Sequence, residues 1–360
     1  MNNLFADRIT DVPRSFIREI LKVALDPNII SFAGGLPNRE LFPVQELTDA
    51  TSEVFKIYGN DIFQYSNSEG FLKLREYIAL NYRKKNINIS AENILITNGA
   101  QQGLDLLGAV SEHGMDLNQL KFRVSEGKNK LIYSVPNFQN PSGITYSSKN
   151  REELSGIIED KEIFIVEDDP YGDLRFSGTP KPSFKKYLPN KTILLGSFSK
   201  IVVPGFRIGW IIAPDEIFEK LLIAKQASDL HSCHFTQYII YQYLAKNDID
   251  SHIKRVISTY GEQCKSMLES INNYFPANVE STKPEGGMFL WVTLPSNMSA
   301  MDLFGLAVKE KVVFVPGDPF YINKNRVNTL RLNFSCVDTK TIRIGIKRLG
   351  EAIDQLQKML

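Results

Sequence analysis

The chain has 360 residues, 43% of them hydrophobic, and 42 Lys plus Arg against 41 Asp plus Glu leave a net charge of +1. That length suits two or three domains with cores of their own, and the balanced charge removes the electrostatic case for nucleic acid as a main partner. The three cysteines (Cys233, Cys264, Cys336) are far apart and lack His at ligand spacing, so neither a disulfide framework nor a metal site is expected. The start, MNNLFADRITDVPR, lacks the apolar stretch of a signal peptide, and no apolar run reaches bilayer length. A cytoplasmic protein with no membrane partner is expected.

In chain order, a first amphipathic stretch carries Ile17, Ile20, Leu21 and Ala24, with Arg18 among them. Helical patterns then cover roughly 69–85, 101–110, 147–160 and 216–225. Between them, short apolar runs bounded by turn chemistry read as buried strands at 94–97, 131–135, 163–166, 192–195 and 208–213. Such alternation predicts an α/β architecture: a mainly parallel sheet covered by helices on both faces. After Phe235 the pattern changes to long helices (about 235–246 and 250–273), short strands (287–293 and 329–334) and helices near 301–311 and 339–358. This reads as a smaller α+β domain. The division expected is 1–45 as an N-terminal segment packing with the small domain and the active site, 46–245 as the large domain, and 246–360 as the small domain.

In open α/β sheets ligands gather beyond the carboxyl ends of the strands. The residues there are Thr97-Asn98-Gly99-Ala100-Gln101, Asn137 to Gly143, Glu167-Asp168-Asp169-Pro170-Tyr171, and Ser197-Phe198-Ser199-Lys200. A lysine just after a buried strand is a candidate amine nucleophile, although a lone lysine is more often a surface charge. Ser197, Ser199 and Arg207 supply hydroxyls and a guanidinium suited to a phosphate, and the Gly99–Gln101 turn adds backbone N–H donors. A phosphorylated aldehyde joined to a lysine is pyridoxal phosphate. Its ring needs an acid at the pyridine nitrogen and donors at the 3-oxygen. Asp168, Tyr171 and Asn140 are of those types, though each is also an ordinary turn or cap residue taken singly. A nucleotide-binding dehydrogenase is excluded because no G-x-G-x-x-G follows an early strand.

The stretches ISFAGGLPNRELFP (30–43), FQYSNSEG (63–70), TNGAQQGLDLL (97–107), SVPNFQNPSG (134–143), VEDDPYGDLRF (166–176), SFSK…GFRIGW (197–210), PEGGMFLWV (284–292) and LRLNFS (330–335) run through nearly the whole chain. Together they resemble the fold-type-I pyridoxal-phosphate aminotransferases of class I/II. The closest likeness is to the 2-aminoadipate/kynurenine branch, which also supplies half of certain fused bacterial regulators. The resemblance implies an aspartate-aminotransferase-like large domain, pyridoxal 5'-phosphate as cofactor, and transfer of an amino group from an α-amino acid to a 2-oxo acid. It implies Lys200 as the Schiff-base residue and proton carrier, Asp168 at the ring nitrogen, and Tyr171 and Asn140 at the 3-oxygen. Asp168 is preferred to Asp169 because its D-x-x-Y spacing to Tyr171 fits the family. Gly99, Ala100, Gln101, Ser197, Ser199 and Arg207 would hold the phosphate, with Tyr65 reaching it from the partner subunit of a homodimer. Arg331 would clamp the substrate carboxylate, against the alternative of a surface salt bridge. Gly35 and Asn140 would also meet the substrate. Arg18 would lie over the substrate side chain, or be a solvated charge.

One feature departs from the family. The helix 101–110 runs directly into Ser111-Glu112-His113-Gly114-Met115. Relatives place a strand–helix–strand unit there, on the order of 30 residues or more. Its loss between Val110 and Ser111 would leave five strands, with 131–135 as an apolar edge, and would remove the aromatic residue that stacks on the cofactor ring. The second expectation is therefore a catalytically impaired cofactor-binding scaffold.

Overall fold

Runs of branched apolar residues, four to six long and bounded by turns, build the central sheet. The computed structural model describes Ile20, Val23 and residues 26–102, 115–127, 129–321 and 328–360. It divides into two compact units. One comprises Leu36–Glu262 with Lys283–Met288, and the other Met1–Gly35, Gln263–Thr282 and Phe289–Leu360.

In the larger unit, β1 (Ile94–Thr97), β2 (Leu131–Ser134), β3 (Phe164–Asp168), β4 (Thr192–Ser197) and β5 (Gly209–Ile212) form one sheet in the order β1-β5-β4-β3-β2. β2, β3 and β4 are parallel, whereas β5 runs antiparallel to both β1 and β4. All residues of β1, β4 and β5 are buried, which explains their unbroken apolar text. β2 alternates half-buried and buried residues and, among the described residues, pairs with β3 alone. It is the edge.

Side-chain alternation sorts the core into two layers. On one face Ile132 and Ile165 meet Leu120, Val124, Leu154, Ile158 and Phe184, which come from helices Leu117–Ser125, Ser148–Ile158 and Phe184–Tyr187. On the other, Leu95, Val166, Leu195 and Ile211 pack on Phe218 and Leu221 of helix Asp215–Ser228. Helix starts follow their caps: the side chains of Asp116, Ser147 and Ser183 each accept a backbone N–H of the first turn.

The expected strands are present, with β5 the one antiparallel member. Helix 101–110 is described only at Gln101 and Gln102, both helical; its remainder and Val110–Ser111 lie outside the described residues, as does Arg18. Three helices went unread in the sequence, one of them the four-residue Phe184–Tyr187. In Val44–Tyr58 the hydroxyls of Thr48, Thr51 and Ser52 weaken the helical text, yet here each donates to the carbonyl four residues back. The nine-residue Leu117–Ser125 buries only Leu120 and Val124.

The smaller unit has β6 (Glu280–Ser281), β7 (Phe289–Thr293), β8 (Val315–Pro316) and β9 (Thr329–Asn333), antiparallel in the order β8-β9-β7-β6. Residues Ile30–Ser31 pair in parallel with Val312–Val313. Helix Thr339–Met359 buries Ile342, Ile346, Leu349, Ile353 and Leu356. The expected boundaries at 45/46 and 245/246 differ from the compact units, which part after Gly35 and after Glu262. The second parting falls inside helix Ile249–Tyr274, where continuous helical periodicity carries no boundary signal.

Candidate active site

Asp168 closes β3 and is buried. The Tyr133 hydroxyl donates to its Oδ2 at 2.7 Å, while Oδ1 is buried with no hydrogen-bond partner among the described residues. Burial pushes this carboxyl up to about 7; Asp169 adds to the rise and Tyr133 opposes it. The neighbouring Asp169 takes the Asn137 amide at 2.9 Å and is likewise raised, chiefly by burial. Glu167 points to the other face. It accepts from the Ser183 hydroxyl at 2.5 Å and the Phe184 N–H at 2.8 Å. Burial, then Asp169, raises it to about 7. Of three consecutive acids, Asp168 is the one left with an open acceptor at the rim.

The second cluster forms because β5 runs backwards. Arg207 precedes that strand, and so reaches the same rim as residues that follow the others. Its Nη2 lies 3.4 Å from the Asn98 carbonyl. Gly99 has φ +79°, and a Cβ there would fall 2.6 Å from Arg207 Nη2. At Gly209 a Cβ would meet the Ala100 backbone N at 2.7 Å. Gly99 is thus favoured by its positive φ, and Gly209 is required by the close approach of backbone. Ser197 Oγ donates to Ser199 Oγ at 2.8 Å and accepts the Ser199 N–H at 3.0 Å. Lys200 follows in the same turn, half-buried. Gly99, Ala100, Ser197, Ser199 and Arg207 therefore belong to neighbouring rim segments, and the exposed Gln101 opens the helix beside them.

Tyr171 is buried just beyond β3 and Asn140 is half-buried in the loop after β2. That loop is held by Arg151, whose fully buried guanidinium donates to the carbonyls of Pro136 and Pro182 at 2.9 Å each and to Asn137 Oδ1 at 2.6 Å. Tyr65 stands 79% exposed, its ring edge-on to His231.

Two supports escaped the sequence reading. One is Tyr133, an aromatic residue within the expected strand 131–135. The other is a buried network beneath the Gly99 turn. Lys225 Nζ bonds Asp229 at 2.9 Å and Ser232 at 3.0 Å, while Asp229 accepts from Asn98 at 2.6 Å and Gln102 at 2.8 Å. The i,i+4 spacing of Lys225 and Asp229 was the available signal, but it is also that of any solvated helix pair.

In the smaller unit, Arg331 of β9 is buried and donates to the Ala33 carbonyl at 2.7 Å. Its guanidinium lies 4.4 Å from the Phe289 ring centroid and 5.5 Å from that of Phe320. It is not a surface charge. A Cβ on Gly35 would sit 3.2 Å from the Phe289 ring. Among the described residues no group of three His, Cys, Asp or Glu could hold a metal, and no helix is long and apolar enough to cross a membrane.

An acid, paired serines, a lysine and an arginine thus lie along one rim of the sheet. Residues 109–349 match the family described as aminotransferase class I and II. An aromatic-amino-acid aminotransferase of Thermococcus litoralis is 37% identical over 395 positions, covering 98% of this chain and 95% of the relative. A 2-aminoadipate transaminase of Thermus thermophilus is 35% identical, covering 96% and 95%. The crystal structure of LysN, the α-aminoadipate aminotransferase of Thermus thermophilus, complexed with N-(5'-phosphopyridoxyl)-L-leucine, superposes with a TM-score of 0.90 at 33% identity, covering 99% of this chain and 98% of that one. The chain belongs to the class I and II aminotransferases. It is an aminotransferase of the aspartate-aminotransferase-like fold, and its cofactor is pyridoxal phosphate.

The rim fits that group. The open Oδ1 of Asp168 offers an acceptor of the kind a pyridinium N–H requires, and hydroxyls, backbone N–H groups and Arg207 offer donors for a phosphate. Without cofactor the buried acids carry a pH signature. Asp168 and Glu167 are raised above their unfolded values of about 4, so the stability they contribute is full below that and is lost as pH rises through about 7. Cofactor-free protein should therefore melt at progressively lower temperature from pH 5 to pH 8. Asp168→Asn should flatten part of that slope in calorimetry; an unchanged slope would contradict the assignment.

Proposed function

We propose that this aminotransferase moves the amino group of an α-amino acid of the 2-aminoadipate, aromatic or branched-chain type to a 2-oxo acid. The observation that carries the site reading is the open acceptor of buried Asp168 on the rim that also presents Lys200. In this reading Lys200 would tether the cofactor through its amine and, once the substrate's amine has displaced it, the freed Lys200 amine would carry the proton of the substrate α-carbon. When bound, the cofactor supplies an electron-poor ring that accepts the charge left by that proton. Asp168 keeps the ring nitrogen protonated, and Tyr171 and Asn140 donate to the 3-oxygen. Ser197, Ser199, Arg207 and the Gly99–Gln101 backbone hold the phosphate. Arg331 takes the substrate carboxylate in a bidentate pair, with two aromatic rings beside it to limit solvation. Gly35 and Asn140 are assigned to substrate contacts, and Arg18 to the substrate side chain. The two relatives' names support the aromatic and 2-aminoadipate classes.

Borohydride reduction of the reconstituted protein followed by peptide mapping should place the pyridoxyl adduct on Lys200. An adduct on another lysine would reject the assignment. A panel of 2-aminoadipate, aromatic and branched-chain donors, read by single-turnover absorbance, should then rank the substrates.

The working form in this reading is a homodimer. Phe55, Ile57, Phe63 and Tyr65 are 45–79% exposed, and Phe55 and Phe63 stack with Phe235 in one aromatic cluster. An apolar surface of that kind marks an interface, and it carries the tyrosine assigned to the partner's phosphate. Sedimentation should give a dimer, and Tyr65→Ala should weaken cofactor capture. A monomer binding cofactor as tightly as the parent would refute the arrangement.

A second reading has its own support. An alignment of 395 positions against a chain of 360 residues leaves at least 35 positions of the Thermococcus relative unmatched. We place that loss between Val110 and Ser111, which makes the chain a deletion variant with impaired turnover. Loss of a stacked aromatic removes about 0.5–1.5 kcal/mol, hence roughly tenfold or less in cofactor affinity. Orientation of the ring should suffer more, so turnover should fall further than affinity. Inserting the strand–helix–strand unit at that point should restore both. If the parent already matches the restored protein, the deletion is harmless.

A further inference from the structure

We propose that Tyr133 is a positioning residue for Asp168: by holding Oδ2 it leaves Oδ1 as the acceptor for the cofactor ring nitrogen. This rests on the assignment of Asp168 made above and extends it to a residue on the neighbouring strand.

Register supplies the geometry. Tyr133 on β2 pairs with Val166 on β3, so Tyr133, Val166 and Asp168 share one face of the sheet, whereas Ser134 and Glu167 share the other. The phenol therefore reaches diagonally along the sheet to the last residue of β3, and its O–H ends 2.7 Å from Oδ2. A carboxylate has two oxygens and can rotate about its last torsion. With one oxygen fixed by a charge-assisted bond and the other open, the acceptor direction is defined before any ligand arrives. The donor also favours the ionised form of Asp168, against burial and against Asp169, the two influences that favour the neutral acid. A neutral acid could not hold a pyridinium by charge. β2 is the edge strand among the described residues, so this tyrosine is carried by the least supported strand of the sheet.

A different role is conceivable for the phenol, that of anchoring β2 to β3. Ser134 separates the two. Its hydroxyl lies 3.3 Å from the Val166 carbonyl, joining the same strands on the opposite face without touching Asp168.

The test uses full-length protein labelled with [13Cγ]aspartate, titrated without cofactor, the Asp168 resonance being the one lost in Asp168→Asn. Tyr133→Phe should move its midpoint upward by roughly one pH unit, a tenfold change in the ionisation equilibrium. It should also weaken capture of pyridoxamine phosphate, a probe that forms no bond to Lys200, by roughly tenfold. Ser134→Ala should change neither. An unmoved midpoint in Tyr133→Phe overturns the proposal, as does an equal loss in Ser134→Ala. If instead Tyr133→Phe shifts the midpoint but Asp168→Asn binds the probe like the parent, it is the assignment of Asp168 that fails. Should Tyr133→Phe fold poorly, fluorotyrosine incorporated into the parent sequence replaces it. The more acidic phenol should lower the midpoint, and no change overturns the proposal.

Discussion

The buried guanidinium of Arg151 is the interaction on which the rim depends. It is fully enclosed, lies 3.8 Å from Glu167, and spends its donors on Pro136, Pro182, Tyr146 and Asn137. Removing one partner of such a buried pair typically costs about 3–5 kcal/mol, because the other charge is left uncompensated. Its consequence here is directional. Asn137, with its oxygen taken by Arg151, presents its amide N–H to Asp169. Asp169 is thereby committed, and Asp168 is left with one oxygen for a ligand. The two adjacent acids differ because their neighbours spend donors differently.

The same logic explains why three acids in a row are tolerated in a buried place. Among the described residues Glu167 is answered by Ser183, Phe184 and Arg151, Asp169 by Asn137, and Asp168 by Tyr133 with its Oδ1 left unpartnered. All three carboxyls are nonetheless raised by burial. A site that holds a carboxylate short of donors is destabilised until a cation or donor joins it, and that shortfall favours capture of a protonated ring nitrogen.

Much of this was legible in the chain because each signal was local. Five strands with apolar runs, the turn residues beyond them and the spacing of Lys200 to Arg207 can be read without tertiary information. The antiparallel course of β5 was not legible, since an apolar run has no direction written into it. Nor was the partnership of Tyr133 with Asp168, which depends on register between strands separated by more than 30 residues. Lys225 was hidden for a different reason. A lysine at helical spacing from an aspartate is the ordinary sign of a solvated pair, and here it is fully buried under the Gly99 turn. Its role emerges only when Asn98, Gln102 and Ser232 arrive around it.

These supports also bear on what a shortened chain retains. Charged and hydrogen-bonding anchors act over short distances and are fixed by strand ends, which the five-stranded sheet keeps: β1, β3, β4 and β5 each contribute their rim residues through buried backbone. Stacking on a ring face needs a side chain delivered from outside that rim, and it is the contribution most easily lost with an edge unit. The two kinds of contact then separate by function. In the proposed reading, the anchors (phosphate donors, Asp168 and Lys200) would set whether the cofactor is held. A stacked face would serve to aim it. Among the described residues β2 is the edge strand, and in the proposed reading the orientation of the Asp168 carboxylate rests on its bond from Tyr133.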